Sequence, residues 1–585
     1  MRRLGAVLLA LGLPGLPAFA DVDIGIEGVT AEQRENIMVF LSLERYRQRD
    51  DLTENLIESL HDRIEGEVAS ALRPFGYYAP RVTSTVQPAG NGDWRARILV
   101  QPGEPVRVDE FSLTVSGAGS NDPIFQSIVV AAPIRRGDRL QHALYEQVKG
   151  DLQRAAATYG YLDARMLRSE LLVDPPRLSA RIILAFETGQ RYHFGETRIE
   201  QGSIADELMR RFVRFSAGEP YDATQLLRTQ FALDDSEYFS EVEVLPAERD
   251  SETLAVPVDI RTKPNRRNRF SYGVGYGSDT RGRGRFTWEN RRVNREGHRL
   301  AADIKAASVS QSIDARYAIP IGDPALEKIG FDLEAARQEL GSLITREVAF
   351  TPSITHVRGR WQRVLFAALK RTTTESLGVS ATDDLLIPGI SFGLLPRGYL
   401  GEALFSRELY AELRGSHSAF GSDADFLQVH VQAERVFDLS RRWHLLLRGE
   451  VGATAVAGFS ELPGTERFFA GGDRSVRGFG FNDLSPVNEL GEKVGGRHLL
   501  TGSVEVIRDL PRNLGFATFF DFGNAFNKFG DPLAYSAGVG IRWRLPVVTI
   551  GIDIAQPLST RPDPNDPTRE VRGGPRFHLN FSPKL

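Results

Sequence analysis

The chain contains no cysteine, so disulfides and thiolate metal sites are excluded. Beyond residue 20 it has no run of about 18 apolar residues, so no transmembrane helix is expected. It has almost no excess charge either. The net value of −4 over 585 residues makes no electrostatic case for nucleic acid as a partner. The ten histidines show no zinc-type spacing, and neither a metal nor a cofactor is expected. One match to a catalytic motif occurs, Gly389-Ile390-Ser391-Phe392-Gly393. It has the Gly-x-Ser-x-Gly form of a nucleophile elbow but sits among alternating strands, where the motif's strand-turn-helix context is missing. The chain therefore reads as a non-enzyme.

What is present begins with an export signal. Met1-Arg2-Arg3, the apolar stretch Leu4–Pro17 and the small-x-small site Ala18-Phe19-Ala20 read as a signal peptide over 1–20, with the mature chain starting at Asp21. An exported chain without helical spans is either soluble or a β-barrel. Composition cannot choose, because barrel strands bury only alternate residues. A chain of this length exceeds one core and predicts several domains.

The first half repeats itself. Phe75-Gly76-Tyr77-Tyr78-Ala79-Pro80-Arg81-Val82 recurs as Tyr159-Gly160-Tyr161-Leu162-Asp163-Ala164-Arg165-Met166, and more weakly as Glu237-Tyr238-Phe239-Ser240-Glu241-Val242. The spacing, about 80 residues, is that of a domain. Helical stretches precede each copy, over Leu52–Leu72, Gln141–Thr158 and Ala223–Leu233. In the first, Leu56, Ile57, Leu60, Ile64 and Val68 recur at helical steps. Each copy leads into two alternating segments across a polar turn, such as Arg81–Gln87 and Trp94–Val100 across Pro88–Asp93. A second shared element links the units: Pro102–Val108 resembles Thr188–Phe194. The predicted order is strand, helix, helix, strand, strand, three times over. Generic α+β domains are the alternative for any single copy.

From about Arg269 the period becomes two. Phe270, Tyr272, Val274 and Tyr276 alternate with Ser271, Gly273 and Gly275; Ile550, Ile552 and Ile554, then Phe577, Leu579 and Phe581, continue the pattern near the end. A soluble sandwich would alternate likewise. More than 300 residues of meander is too much for one sandwich, and at about 20 residues per strand and turn it predicts 14 to 18 strands. The reading is a membrane β-barrel with a polar lumen.

Such a lumen suits the oddest segment of the chain. Residues 466–481 surround Arg477 with glycines and with Phe468, Phe469, Phe479 and Phe481, which an ordinary surface loop would gain nothing by exposing. The expected geometry is a loop folded inward, with Val476-Arg477-Gly478-Phe479 as a latch and the guanidinium forked onto carboxylates. Two partners are candidates: Asp521, opposite Phe520 and Phe522, and Glu505, opposite Val504 and Val506. A carboxylate facing lipid is costly, which turns both inward. The alternative leaves all three solvated and unpaired. Lys263, Arg266, Arg267 and Arg269 form a basic cluster where the modules enter the barrel, solvated or near lipid headgroups.

Taken together these residues carry a resemblance. The three Gly-Tyr modules look like POTRA domains. Val476-Arg477-Gly478-Phe479, Phe519-x-Asp521-x-Gly523 and Gly538-x-Gly540-x-Arg542 resemble the BamA-type outer-membrane assembly family, and three modules point to its TamA branch. The resemblance covers essentially the whole mature chain. It implies POTRA modules over 21–107, 108–193 and 194–265, and a 16-stranded transmembrane barrel over 266–585. It further implies a weakly paired seam between the first and last strands, about Arg267–Tyr276 and Pro575–Leu585. Phe270, Tyr272, Val274, Phe577, Leu579 and Phe581 would line it. The implied function is insertion or translocation of autotransporters and other β-barrel proteins in the outer membrane of a Gram-negative bacterium, with the modules in the periplasm. The implied partners are a TamB-like inner-membrane protein bound through the first module, unfolded substrates, and outer-membrane lipid. A two-partner-type secretion pore for a soluble exoprotein is the alternative. The end departs from the family, since the chain runs past Phe581 to Ser582-Pro583-Lys584-Leu585, and Pro583 predicts a frayed or inward-bent end.

Overall fold

The computed structural model describes residues 22–47, 53–90, 93–277, 281–376, 378–395, 408–545, 548–563 and 566–583. The segment read as a signal peptide, 1–20, lies outside them. The chain forms two compact units. One runs to Arg198 and adds Phe215–Leu227 and Leu245–Val258; the other holds Ile199–Arg214, Arg228–Val244 and Asp259 onward.

Three units share the order strand, helices, strand, strand, with four helices in the first and two in each of the others. The first copy has β1 (Val22–Glu27), α1 (Ala31–Phe40), α2 (Ser42–Arg45), α3 (Glu54–His61), α4 (Ile64–Leu72), β2 (Arg81–Gly90) and β3 (Asp93–Gln101). The second has β4 (Arg107–Ser116), α5 (Pro123–Ala131), α6 (His142–Thr158), β5 (Arg165–Asp174) and β6 (Ser179–Glu187). The third has β7 (His193–Glu200), α7 (Asp206–Arg210), α8 (Ala223–Asp235), β8 (Phe239–Pro246) and β9 (Ala255–Pro264), its strands forming a third small sheet. In the first two sheets, ordered β1-β3-β2 and β4-β6-β5, the opening strand lies parallel to the closing one. The helices bridge that parallel pair, as a crossover must.

Alternation makes these sheets one-sided. In β3 the side chains of Ala96, Ile98 and Val100 are buried, and they share a core with Ile57, Leu60, Ile64 and Val68. The single helix expected over Leu52–Leu72 is instead two. At Arg63 the backbone ladder tightens, its N–H bonding the Leu60 carbonyl at 3.3 Å, and the axis breaks there while both flanking turns keep an apolar face inward. The repeated Gly-Tyr has a conformational cause. Gly76 and Gly160 stop their helices at φ +87° and +86°, where a Cβ would be strained. Each then accepts the N–H of the incoming linker, Val106 and Tyr192, at 2.8 Å. The third copy puts Glu237 in the same left-handed region, φ +55°.

The larger unit is dominated by a barrel. Its strands are β10 (Asn268–Gly277), β11 (Arg281–Asn290), β12 (Arg299–Ala307), β13 (Ser310–Pro320), β14 (Glu327–Leu340), β15 (Leu343–Arg358), β16 (Trp361–Ser376) and β17 (Val379–Leu394). They continue as β18 (Leu409–Ser416), β19 (Phe426–Ser440), β20 (Trp443–Val456), β21 (His498–Leu510), β22 (Leu514–Phe526), β23 (Ala534–Arg544) and β24 (Val548–Pro557). A small hairpin, β25 (Thr560–Asp563) and β26 (Asp566–Arg572), stands outside the ring before β27 (Arg576–Pro583) closes it. Sixteen antiparallel strands result, each bonded to its neighbour in sequence except across that excursion. The outward face is apolar and exposed, through Val504, Phe520, Ile541, Trp543 and Ile554, while the alternate residues Glu505 and Asp521 are buried. That arrangement suits lipid outside and a polar interior. No described helix is long and apolar enough to cross a membrane.

Pro583 stays in the ladder opposite Val548, a strand's last position tolerating the missing donor. The end expected to be frayed or inward-bent runs on to Lys584-Leu585, which lie outside the described residues.

In the second module Leu152 is fully buried on α6 against the sheet. Leu152→Ala should destabilise that module by about 2–5 kcal/mol, read as a lower urea midpoint of the helical circular-dichroism signal. The barrel's heat-modifiable gel migration should be unchanged.

Candidate functional site

Closing the ring points alternate side chains of every strand into one shared interior. The connection 457–497, between β20 and β21, folds into that space and buries a charged side chain against its walls at two places.

The first place is Arg477, whose side chain is 4 % exposed. Its Nε donates to Asp521 Oδ2 at 2.9 Å and its Nη2 to Oδ1 at 2.8 Å, a two-pronged fork on β22. The backbone N–H of Arg477 adds a third bond to the same carboxylate at 3.1 Å. Nη1 donates to Glu505 Oε2 on β21 at 2.8 Å. Ser503 Oγ accepts from Nη2 at 3.2 Å and itself donates to Asp521 at 2.7 Å. The guanidinium carbon stands 3.3 Å from the centroid of the Phe519 ring, so one face of the cation rests on π density while its edge donates four hydrogen bonds.

A second arginine balances the charge. Arg542 on β23 donates to Glu505 Oε1 at 3.0 Å and to both oxygens of Asp553 on β24, at 2.6 and 3.1 Å. Asp553 is also 3.6 Å from Arg477. Two guanidiniums thus share three carboxylates, and buried Arg448 on β20 adds positive charge nearby. A charge taken out of water costs several kcal/mol unless it is paired and bonded, and Arg477, Arg542 and the three carboxylates are each both.

Glycines of the motif provide space for this cluster. A Cβ on Gly538 would stand 2.3 Å from Phe519, the ring that supports the guanidinium and lies across from it in the ladder. A Cβ on Gly540 would collide with the Asp553 carboxylate. Gly478 lets the loop backbone lie against Ser536 and Pro557, and its N–H donates to Ser536 Oγ at 3.1 Å. Gly523 lies in the ladder opposite Thr501, where a Cβ would stand 2.4 Å from the Leu500 carbonyl. Val476 and Phe479 are buried against Ala534. Phe468 is buried beside Leu499 and Ala525. Phe481 departs from the expectation of packed aromatics: it is 42 % exposed, just past the buried Val476–Phe479 turn.

The second place was not anticipated. Glu466, also buried, accepts from Lys370 Nζ on β16 at 3.3 Å and pairs with Arg414 Nη2 on β18 at 2.9 Å. Lys370 is shared with Glu347 on β15 at 3.2 Å, and Gln428 Nε2 on β19 holds the Glu466 carbonyl at 2.8 Å. The loop is therefore fastened by a cation to strands β21–β22 and by an anion to strands β15–β19. Asp553 was missed although Ile552-Asp553-Ile554 repeats the apolar-carboxylate-apolar pattern of Glu505 and Asp521, and that pattern could have found it. Glu466 has no such signal, because no period applies to a loop.

The other singled-out residues lie elsewhere. Phe270, Tyr272 and Val274 on β10 and Phe577 on β27 are exposed on the outer face, and Leu579 is half-buried. The Phe581 side chain lies outside the described residues. Gly389–Gly393 lies inside β17, so the turn that an elbow requires is not there. Lys263 pairs with Glu241, and Arg269 with Glu237. Among the described residues no acidic or histidine cluster has metal-binding geometry.

Arg477→Ala leaves two buried carboxylates short of a partner and should cost about 3–5 kcal/mol. The measurement is the temperature at which the folded barrel loses its fast gel migration. Arg477→Lys keeps the charge without the fork and should fall between that variant and the parent.

Residues 402–582 match the Omp85 superfamily domain, and residues 23–102 match the POTRA domain described as TamA domain 1. The chain is 24 % identical over 413 residues to the outer membrane protein assembly factor BamA of Nitratidesulfovibrio vulgaris, covering 60 % of this chain and 47 % of that protein. It is 28 % identical over 165 residues to BamA of Neisseria meningitidis serogroup B, covering 22 % of this chain and 21 % of that protein. The chain thus spans less than half the length of these relatives. The crystal structure of Haemophilus ducreyi BamA lacking POTRA domains 1–3 superposes with a TM-score of 0.63 at 16 % identity, covering 82 % of this chain and all of that one, which is a likeness of fold.

Proposed function

We propose that this chain, which carries an Omp85 superfamily domain and a TamA-type POTRA domain, is an outer-membrane assembly factor that inserts or translocates β-barrel proteins, autotransporters among them. The observation that carries this reading is an unequal ladder. Strand β27 has eight register pairs with β24, and β10 has ten with β11. Between β10 and β27, among the described residues, the register is the single pair Gly277 with Asn580.

The physics follows from that inequality. A backbone hydrogen bond contributes only about 0.5–1.5 kcal/mol net in water, but an unpaired N–H or C=O in hydrocarbon costs several kcal/mol. A seam with one rung parts easily, and both exposed edges then demand new partners. An incoming strand satisfies them and is templated as it does so. The exposed outer faces of Phe270, Tyr272, Val274 and Phe577 place apolar side chains on either flank of that seam. No group on the protein needs to react. The assembling agent is the edge itself.

The reading assigns the barrel to the outer membrane of a Gram-negative bacterium, with the modules on the periplasmic side and lipid around the barrel. It assigns unfolded barrel proteins as substrates and a TamB-like inner-membrane protein as partner of the first module. The match of residues 23–102 to the first POTRA domain of TamA supports that partner. Recovery of such a protein from envelope extract by residues 21–107, and not by residues 108–193, tests it.

Because the chain has no cysteine, a pair introduced as Gly277→Cys and Asn580→Cys isolates the seam. The expected result is a disulfide that halts substrate assembly, with reduction restoring it. Full assembly with the seam locked would overturn the mechanism, and export of a soluble protein through the locked barrel would favour a secretion pore.

A further inference from the structure

The latch loop also reaches the seam. His578 lies on β27 with its ring turned inward and almost fully buried. Its Nε2 is 2.6 Å from the carbonyl oxygen of Arg477. A carbonyl only accepts, so Nε2 carries the hydrogen and donates. The other ring nitrogen, Nδ1, meets the carboxylate of Asp473, which also only accepts, so the paired ring carries a hydrogen on each nitrogen. Two positions before His578, Arg576 packs its guanidinium against Gly480, where a Cβ would stand 3.2 Å from both terminal nitrogens. The loop segment 473–480 therefore holds the last strand by three consecutive features.

The loop in turn cannot drift, because Arg477 is forked onto Asp521 on β22.

We propose that segment 473–480 is an internal clasp on the closing strand, in which His578 and Asp473 act as positioning residues that hold β27 inward against the anchored loop. The two strands share little backbone pairing of their own, so side chains and one loop carbonyl inside the barrel supply the missing restraint. Outward movement of β27 breaks the bond from His578 to the Arg477 carbonyl. Opening is thereby coupled to the loop, and whatever lifts the loop from its wall frees the seam. The clasp deepens the lateral-opening reading and rests on it only for its consequence in assembly, not for its effect on the strands.

The test uses the full chain in lipid vesicles, with spin labels on Tyr276→Cys and Phe577→Cys, two exposed outward positions flanking the seam. Electron–electron distance measurement reads the closed and open populations. His578→Ala and Asp473→Ala should each lower the closed-to-open ratio about fivefold, the factor set by losing one buried hydrogen bond. His578→Gln, whose amide nitrogen can still donate to the Arg477 carbonyl, should recover most of it. Unchanged distances in both His578→Ala and Asp473→Ala overturn the clasp. So does a shift that His578→Gln fails to relieve, which would mark a packing defect. Shifted distances with substrate assembly untouched keep the clasp and count against lateral opening. Should His578→Ala fail to fold, Asp473→Ala and His578→Gln decide by the same measurement.

Discussion

A guanidinium held away from water is the constraint on which this barrel's interior depends. Arg477 stays buried because two carboxylates, a serine and an aromatic ring converge on it from β21 and β22. Each of the charged groups would be costly alone in an enclosed space. The cost makes the arrangement close to all-or-none: the loop either sits on the wall with every charge paired or leaves several stranded. A neutral contact of the same area would allow a graded set of positions.

From that fixed point the loop extends in two directions. Glu466 ties it to the strands around β16 and β18, so the interior is braced between walls of opposite local charge. Segment 473–480 meets β27, the strand with the least pairing on one side. A barrel with sixteen full ladders would need no such brace, since its backbone bonds alone would close it. The poverty of the β10–β27 ladder and the richness of the side-chain contacts behind it are complementary, and together they separate barrel integrity from seam closure.

Much of this was legible in the chain, for particular reasons. The Gly-Tyr repeat marks left-handed helix stops at Gly76 and Gly160, and a residue that must adopt φ near +87° leaves a visible trace. Strand period exposed Asp521 and Glu505, because a carboxylate between two apolar neighbours has only one inexpensive side. The same rule applied to Asp553 and was not used there. Local period could not reveal the break of the Leu52–Leu72 helix at Arg63, since both halves keep the same apolar spacing. Nor could it reveal the exposure of Phe481, or the hairpin of β25 and β26 outside the ring.

The sequence by itself determined the element types, the inward and outward faces of the strands, and the charge of the groups that must find partners. These depend on steps of two or three to four residues, which the chain carries locally. The tertiary structure alone decided which partners met. Glu466 with Arg414, His578 with the Arg477 carbonyl, and the single rung between Gly277 and Asn580 join residues far apart in the chain. Their distances are set by ring closure and strand register, and no local pattern encodes those.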